Sequence, residues 1–239
     1  MNVINLIAGP RNLSTAIMYS FAQRGDCIVI DEPFYGHYLN NSELDFKHPS
    51  EKEILSTMDL DEGSIIEKIN ILALNKTVFI KGMAHHYINE SSFTLDWKNI
   101  ILIRHPKKLI ASFSKVIENP TINDIGIKKA SQLFLFLKEN NKTPIVIDSD
   151  ELMVNPKKYL KKICKLLNIS FSKEMLHWEK GGVPEDGVWA SHWYANVHNT
   201  TGFQIQEKKE IVLSRSLQPL LDEALPYYKI LKNNILKND

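Results

Sequence analysis

The chain of 239 residues is poor in several features, and each shortage narrows what it can be. It holds two cysteines, Cys27 and Cys164, far apart and each inside an apolar run. That spacing excludes a thiolate metal cluster and predicts buried free thiols in a reducing compartment. No stretch approaches the ~18 apolar residues that span a bilayer, and no basic N-terminal region leads into an apolar segment and a cleavage site. Charge of one sign is not in excess either, because 29 basic against 28 acidic side chains leave a net charge of +1. Nucleic acid and membrane are therefore not expected partners, although a local basic pocket is compatible with this balance. Internal repeats and low-complexity tracts are absent. A soluble cytoplasmic protein is expected, whose 44% hydrophobic content suits one sizeable core in one α/β domain over residues 1–239.

What is present is concentrated in the first 24 residues. Asn2 to Ala8 is a short, mostly apolar, β-branched run, followed by Gly9-Pro10-Arg11-Asn12-Leu13-Ser14-Thr15 and the amphipathic stretch Ala16 to Arg24. This reads as strand, tight loop, helix. A helix start offers unpaired N–H groups and a partial positive charge, which suit an anion. Arg11 adds a fork of donors matched to phosphate or sulfate oxygens, and Ser14 or Thr15 can cap the helix and still offer a hydroxyl. The loop has one glycine and no lysine, so it is not a Walker A loop.

Four further strands follow: Cys27 to Asp31, Thr77 to Lys81, Asn99 to Ile103 and Pro144 to Asp148. Helices are expected at Ser64 to Leu74, Lys107 to Val116, Asn123 to Asn140, Pro156 to Leu167 and Lys208 to Leu225, with Pro226 interrupting or ending the last. Residues 35–62 read as short helices and loops around a substrate, and the aromatic, glycine-rich residues 177–203 as a C-terminal flap. Alternating strands and helices predict an α/β fold of three layers, α/β/α, around a mainly parallel sheet. Ligands in such folds sit beyond the carboxyl ends of the strands. Polar groups gather at four of those ends: Arg11 with Ser14, Asp31 with Glu32, Lys81 with His85 and His86, and Arg104 with His105.

Three segments resemble sulfotransferases that use 3′-phosphoadenosine 5′-phosphosulfate (PAPS). Pro10 to Thr15 is similar to the loop that binds the 5′-phosphosulfate. Arg104-His105-Pro106-Lys107 through Ser112 is similar to the 3′-phosphate segment, in which an arginine after a strand is followed eight residues later by a serine. Asp150-Glu151-Leu152, Asn155-Pro156 and the helix to Leu167, with Phe171, resemble the family's strand-to-helix signature after the fifth strand. The resemblance implies a P-loop-like fold, PAPS as co-substrate without a metal, and as acceptor a hydroxyl (or amine) of a small molecule or carbohydrate. It also implies donor contacts from Arg11, Asn12, Leu13, Ser14, Thr15, Arg104 and Ser112.

Two departures stand out. Leu13 occupies the usual place of a glycine, and the family's C-terminal 3′-phosphate loop is echoed only by Lys180-Gly181-Gly182 with Trp189. Sulfuryl transfer to a hydroxyl calls for a general base. Glu32 and His85 are equal candidates, with His86 and His37 behind, and Lys81 is placed to stabilise the departing group. The aromatic segment around Trp178, Trp193 and Tyr194 reads as an acceptor pocket or as packing. A phosphonucleotide-binding protein without catalysis, or a P-loop phosphotransferase, is the alternative function. The oligomeric state is open, a homodimer included.

Overall fold

The computed structural model describes residues 2–42, 48–88, 92–204 and 211–237. Its centre is a sheet of five strands: β1 Val3–Ala8, β2 Cys27–Asp31, β3 Thr77–Met83, β4 Lys98–Ile103 and β5 Ile145–Asp148. They lie in the order β2-β3-β1-β4-β5, and all four pairings are parallel. The expected strands are all there, within two residues at each end.

Each strand is covered on both faces, as parallel sheets require. Around the sheet run α1 Ser14–Ala22, α2 Tyr35–Asn41, α3 Glu51–Thr57, α4 Glu62–Leu72, α5 Pro106–Phe113, α6 Ile127–Glu139, α7 Ser149–Val154, α8 Pro156–Leu166, α9 Ala190–Trp193, α10 Ala195–His198 and α11 Gln218–Lys232. The period-2 alternation of β1 sends Val3 and Ile7 toward α4, α5, α6 and α11, and Ile4, Leu6 and Ala8 toward α1 and α8. Asn5, a buried polar residue within this apolar strand, is satisfied by Asn99 at 3.0 Å and the Tyr87 hydroxyl at 2.6 Å.

Three helices differ from expectation. Gly126 in the left-handed region (φ 69°) delays α6 to Ile127. The last helix runs Gln218–Lys232, straight through Pro226, whose buried neighbours Leu220, Leu221, Ala224, Tyr228 and Leu231 hold both halves against the core. Tertiary packing outweighs the proline's local cost. The expected start of this helix at Lys208 lies outside the described residues. Helix α7 was not expected; the Asp148 side chain starts it by accepting from the Asp150 N–H at 2.8 Å.

The chain leaves β1 for β2 and β3 on one side, then crosses to β4 and β5 on the other. The switch places the loop after β1 beside the loop after β4, where α/β sheets open a crevice.

Candidate active site

A cavity of about 410 Å³ opens at this crevice. Its lining includes all the loop residues from Pro10 to Ala16, and also Glu32, Lys81, His85, His86, Arg104 and Ser112. The tertiary structure therefore brings every donor and catalytic candidate from the sequence to one space, with His37 left out. His37 is buried elsewhere, with Nδ1 at 2.9 Å from the Leu60 carbonyl oxygen, and serves the fold.

The loop after β1 forms a cup. Arg11 (φ 59°) and Leu13 (φ 68°) are left-handed, while Asn12 between them is not. Alternation of this kind turns successive N–H groups toward one point, an anion nest. Leu13 thus adopts the conformation that a glycine takes freely, so the side chain is accommodated at a cost in strain. It is the N-cap of α1 but supplies no side-chain cap, so the first N–H groups of the helix stay open to the cavity. Asn12 fastens the cup to β4 by donating from Nδ2 to the Leu102 carbonyl oxygen at 3.2 Å. Gly9 lets the chain pass the next loop, because a Cβ there would fall 2.4 Å from the Ile125 carbonyl oxygen.

Arg11, Arg104 and Ser112 form one hydrogen-bonded unit. Arg11 Nε donates to Ser112 Oγ at 3.1 Å, and Arg104 Nη1 donates to the Arg11 carbonyl oxygen at 2.9 Å. Neither arginine has an ion-pair partner among the described residues. Burial holds the pKa of Arg11 below its ordinary value, and Arg104 adds to this. Burial also lowers that of Arg104, against the pull of Asp150 and Asp148. Two half-buried guanidinium groups without ion-pair partners, beside an uncapped helix start, fit a polyanionic ligand.

At the ends of β2 and β3 lies a buried ionic network. Lys81 is fully buried, and its Nζ donates to Asp31 Oδ1 at 2.9 Å, to Glu32 Oε1 and to the Tyr194 hydroxyl. The Tyr194 hydroxyl donates toward Asp31 Oδ2 at 2.8 Å and accepts from Trp189 Nε1 at 2.9 Å. Burial disfavours charge on Lys81, but Asp31 and Glu32 outweigh it and raise its pKa. Because all three N–H bonds are in use, Lys81 holds Glu32 and is not free for the role expected from the sequence, stabilising a departing group.

Glu32 sits just before Pro33 with a strained φ of 44°. It is 5% exposed. Burial raises its pKa; Lys81 opposes this and Asp31 reinforces it. Oε1 is occupied by the network, whereas Oε2 has no hydrogen bond among the described residues and lies 3.8 Å from His86 Nδ1. His86 is stacked on Tyr35, with ring centroids 4.6 Å apart. Its pKa is well below the ordinary value, through burial first and then His85, His48 and Lys81. Burial pushes His85 down to about 4, with His48 lowering it further and Asp124 opposing. Both histidines are neutral near pH 7.

The flap contributes Trp178, Trp193, Tyr194 and Phe203 to the cavity, and the 35–62 region contributes Tyr35, Tyr38 and His48. Lys180, Gly181 and Gly182 do not line it, and Trp189 is buried behind it against Tyr194, so this echo of a 3′-phosphate loop is not brought to the site. Sequence reasoning missed Asp31 as part of the machinery and Tyr194 as its hydrogen-bonding partner. The adjacency of Asp31 and Glu32 at a strand end was a signal for the first; nothing local marked Tyr194. Among the described residues, no three His, Cys, Asp or Glu side chains are grouped to hold a metal, and no helix is long and apolar enough to cross a membrane.

A five-stranded parallel α/β sheet with an anion cup at its switch point defines the class of the protein. The Sulfotransferase domain family profile matches residues 1–235, and the chain belongs to that family. The fold is similar to the sulfotransferase domain from the curacin biosynthetic pathway (TM-score 0.60, 18% identity, 92% of this chain and 96% of that one). It is also similar to a sulfotransferase from Alicyclobacillus acidocaldarius (TM-score 0.59, 10% identity, 98% and 95%). In sequence, branched-chain-amino-acid aminotransferase-like proteins 2 and 1 of Arabidopsis thaliana are each 35% identical, over 97% and 98% of this chain. The chain spans 42% of the length of each of these relatives.

Proposed function

We propose that the chain transfers a sulfuryl group from PAPS to a hydroxyl of a small molecule. The observation that carries this reading is the pair of half-buried arginines without ion-pair partners, Arg11 and Arg104, at an uncapped helix start, facing a cavity also lined by a strained carboxylate. The residues fit the donor: the 11–15 cup suits the 5′-phosphosulfate, and Arg104 with Ser112 suits the 3′-phosphate. When bound, the donor supplies the sulfuryl group, whose bond to the phosphate oxygen breaks as a bond to the acceptor oxygen forms.

Glu32 Oε2 takes the acceptor's hydroxyl proton in this step. Lys81 and Tyr194 hold Oε1 and so fix the direction of that carboxylate. Arg11 and the open N–H groups of α1 stabilise the negative charge gathering on the departing phosphate.

The name of the Arabidopsis relatives suggests aminotransfer, which uses a lysine amine as nucleophile. Lys81, the lysine lining the cavity among the described residues, is paired with two carboxylates and has a raised pKa. That is the opposite of an activated amine.

Calorimetric titration with 3′-phosphoadenosine 5′-phosphate tests the reading. Wild type is expected to bind, and Arg104→Ala to bind about 10- to 150-fold more weakly, the loss of a charge-assisted contact worth roughly 1.5–3 kcal/mol. A folded wild type that does not bind overturns it. Binding without sulfuryl transfer to any hydroxyl acceptor would leave the nucleotide-binding alternative in its place.

A further inference from the structure

The segment Lys180-Gly181-Gly182 stands away from the cavity, yet it borders a second polar cluster. Three donors converge on one oxygen of Asp186: the Tyr19 hydroxyl at 2.5 Å, His198 Nε2 at 3.0 Å and Val183 N at 3.3 Å from Oδ2. Gly182 leaves the room for this, because a Cβ there would fall 2.9 Å from Asp186 Oδ2 and 3.3 Å from His198 Nε2, at a left-handed φ of 109°. None of Tyr19, Asp186 and His198 lines the cavity.

The cluster joins two elements that do. Tyr19 is buried on α1, the helix that starts at the anion cup. Burial first, and then Asp186, raise its pKa, so the hydroxyl keeps its proton and donates it. Asp186 and His198 belong to the flap. Among the described residues, Tyr19 to Asp186 is the one hydrogen bond between α1 and residues 177–203. Rings carry the contact inward: Tyr19 meets Trp178 edge-on at 5.9 Å between centroids, and Trp178 meets Phe203 in the same way at 5.2 Å. Trp178 Nε1 also donates to Thr200 Oγ1 at 3.2 Å, and Trp178, Thr200 and Phe203 line the cavity together with the cup. Asp186 Oδ1 is buried without a hydrogen bond. A carboxylate with one oxygen unmet is kept from water by the donors on the other, so losing a donor turns it, and the flap with it, outward.

We propose that Tyr19, Asp186 and His198 are positioning residues of the transfer reaction, a latch that ties the flap to α1 and holds its rings against the cavity that takes the nucleotide. The inference rests on the sulfotransferase reading of that cavity and adds residues that touch no ligand. Without the latch, the flap spends less time in the arrangement that binds, and the apparent affinity falls by that fraction. The latch retains a ligand already in place, so the loss lies in dissociation.

The test measures binding of 3′-phosphoadenosine 5′-phosphate by calorimetry and stopped flow in wild type, Tyr19→Phe, His198→Ala and His198→Gln, with thermal unfolding to show that each is folded. Tyr19→Phe and His198→Ala are expected to bind about 5- to 10-fold more weakly, through faster dissociation, with association within about twofold of wild type. His198→Gln offers an amide N–H where Nε2 stands, and is expected within about twofold of wild type. Both singles act through one carboxylate, so combining Tyr19→Phe with His198→Ala should cost less than the product of the two losses. A purely structural cluster would lower the unfolding temperature and leave the affinity of the folded protein where it was. Unchanged affinity in folded Tyr19→Phe, a loss confined to association, or equal losses in His198→Ala and His198→Gln overturns the inference. If Tyr19→Phe does not fold, the two His198 variants decide it. If wild type does not bind the nucleotide, the underlying reading falls and the latch's role with it; if it binds and the variants match it, the latch alone falls.

Discussion

The hydroxyl of Tyr194 lies 2.8 Å from the carboxylate of Asp31, a residue 163 positions earlier in the chain. The contact plugs the C-terminal flap into the ionic network at the ends of β2 and β3. A flap whose ring lines the cavity therefore shares a hydrogen-bonded unit with Glu32, the base of the proposed reaction.

Removing that hydroxyl should be felt in stability and in proton transfer. Tyr194→Phe keeps the ring but deprives buried Asp31, Glu32, Lys81 and Trp189 of one partner each. A loss of about 1–3 kcal/mol is expected in urea unfolding. Because the hydroxyl's bond to Glu32 favours the charged carboxylate, its removal should shift the acid limb of the rate profile to higher pH. We expect kcat to fall about tenfold with the donor KM unchanged. A purely structural tyrosine would leave the pH profile where it was.

Glu32 should make stability depend on pH in the less usual direction for a carboxyl. Its folded pKa is raised above the ordinary value of 4.5 by burial, so the folded chain holds this proton more tightly than the unfolded one. The contribution is complete below the unfolded value and is lost as pH rises through the folded one. Urea midpoints of wild type and Glu32→Gln, compared from about pH 4 to 8, should show wild type losing stability relative to the variant as pH rises. Glu32→Gln should also abolish sulfuryl transfer.

Leu13 gives a test of stored strain. Leu13→Gly relieves a left-handed leucine, worth roughly 1–2 kcal/mol, but adds unfolded-state entropy of about 0.5–1 kcal/mol. The net expectation is a stability within about 1 kcal/mol of wild type and nucleotide binding at least as tight. Leu13→Val places a β-branched residue at φ 68°. It should cost at least about 1 kcal/mol and weaken nucleotide binding, as thermal unfolding and titration would show.

Gly9→Ala should be more damaging than its size suggests. Its Cβ would fall 2.4 Å from the Ile125 carbonyl oxygen, so the loop that carries Asp124 must shift. Destabilisation of about 1–3 kcal/mol is expected, together with weaker nucleotide binding. Unchanged values in a thermal scan and a titration would show that this approach of two loops is not tight.

Local chemistry was enough to reveal the sheet. Short β-branched runs such as Val3–Ala8 have few alternatives to being strands, and a strand followed by an arginine-bearing turn and a helix is an anion site on local grounds alone. Glu32 and Arg104 were legible as polar groups at strand ends, whereas Ser112, near the far end of α5, was marked only by the resemblance to sulfotransferases. Three things were not legible. Pro226 argues locally against a helix, yet buried Ala224 and Tyr228 carry α11 past it. Lys81 reads as a strand-end lysine open to the cavity, yet the pairing of Asp31 with Lys81 across β2 and β3 closes it in. Tyr194 belongs to a segment without periodicity, and only long-range packing places its hydroxyl among three charged groups. Sequence therefore determined which groups could bind an anion or take a proton. Tertiary structure decided which of them are left with unpaired charge, because desolvation and pairing depend on neighbours far away in the chain.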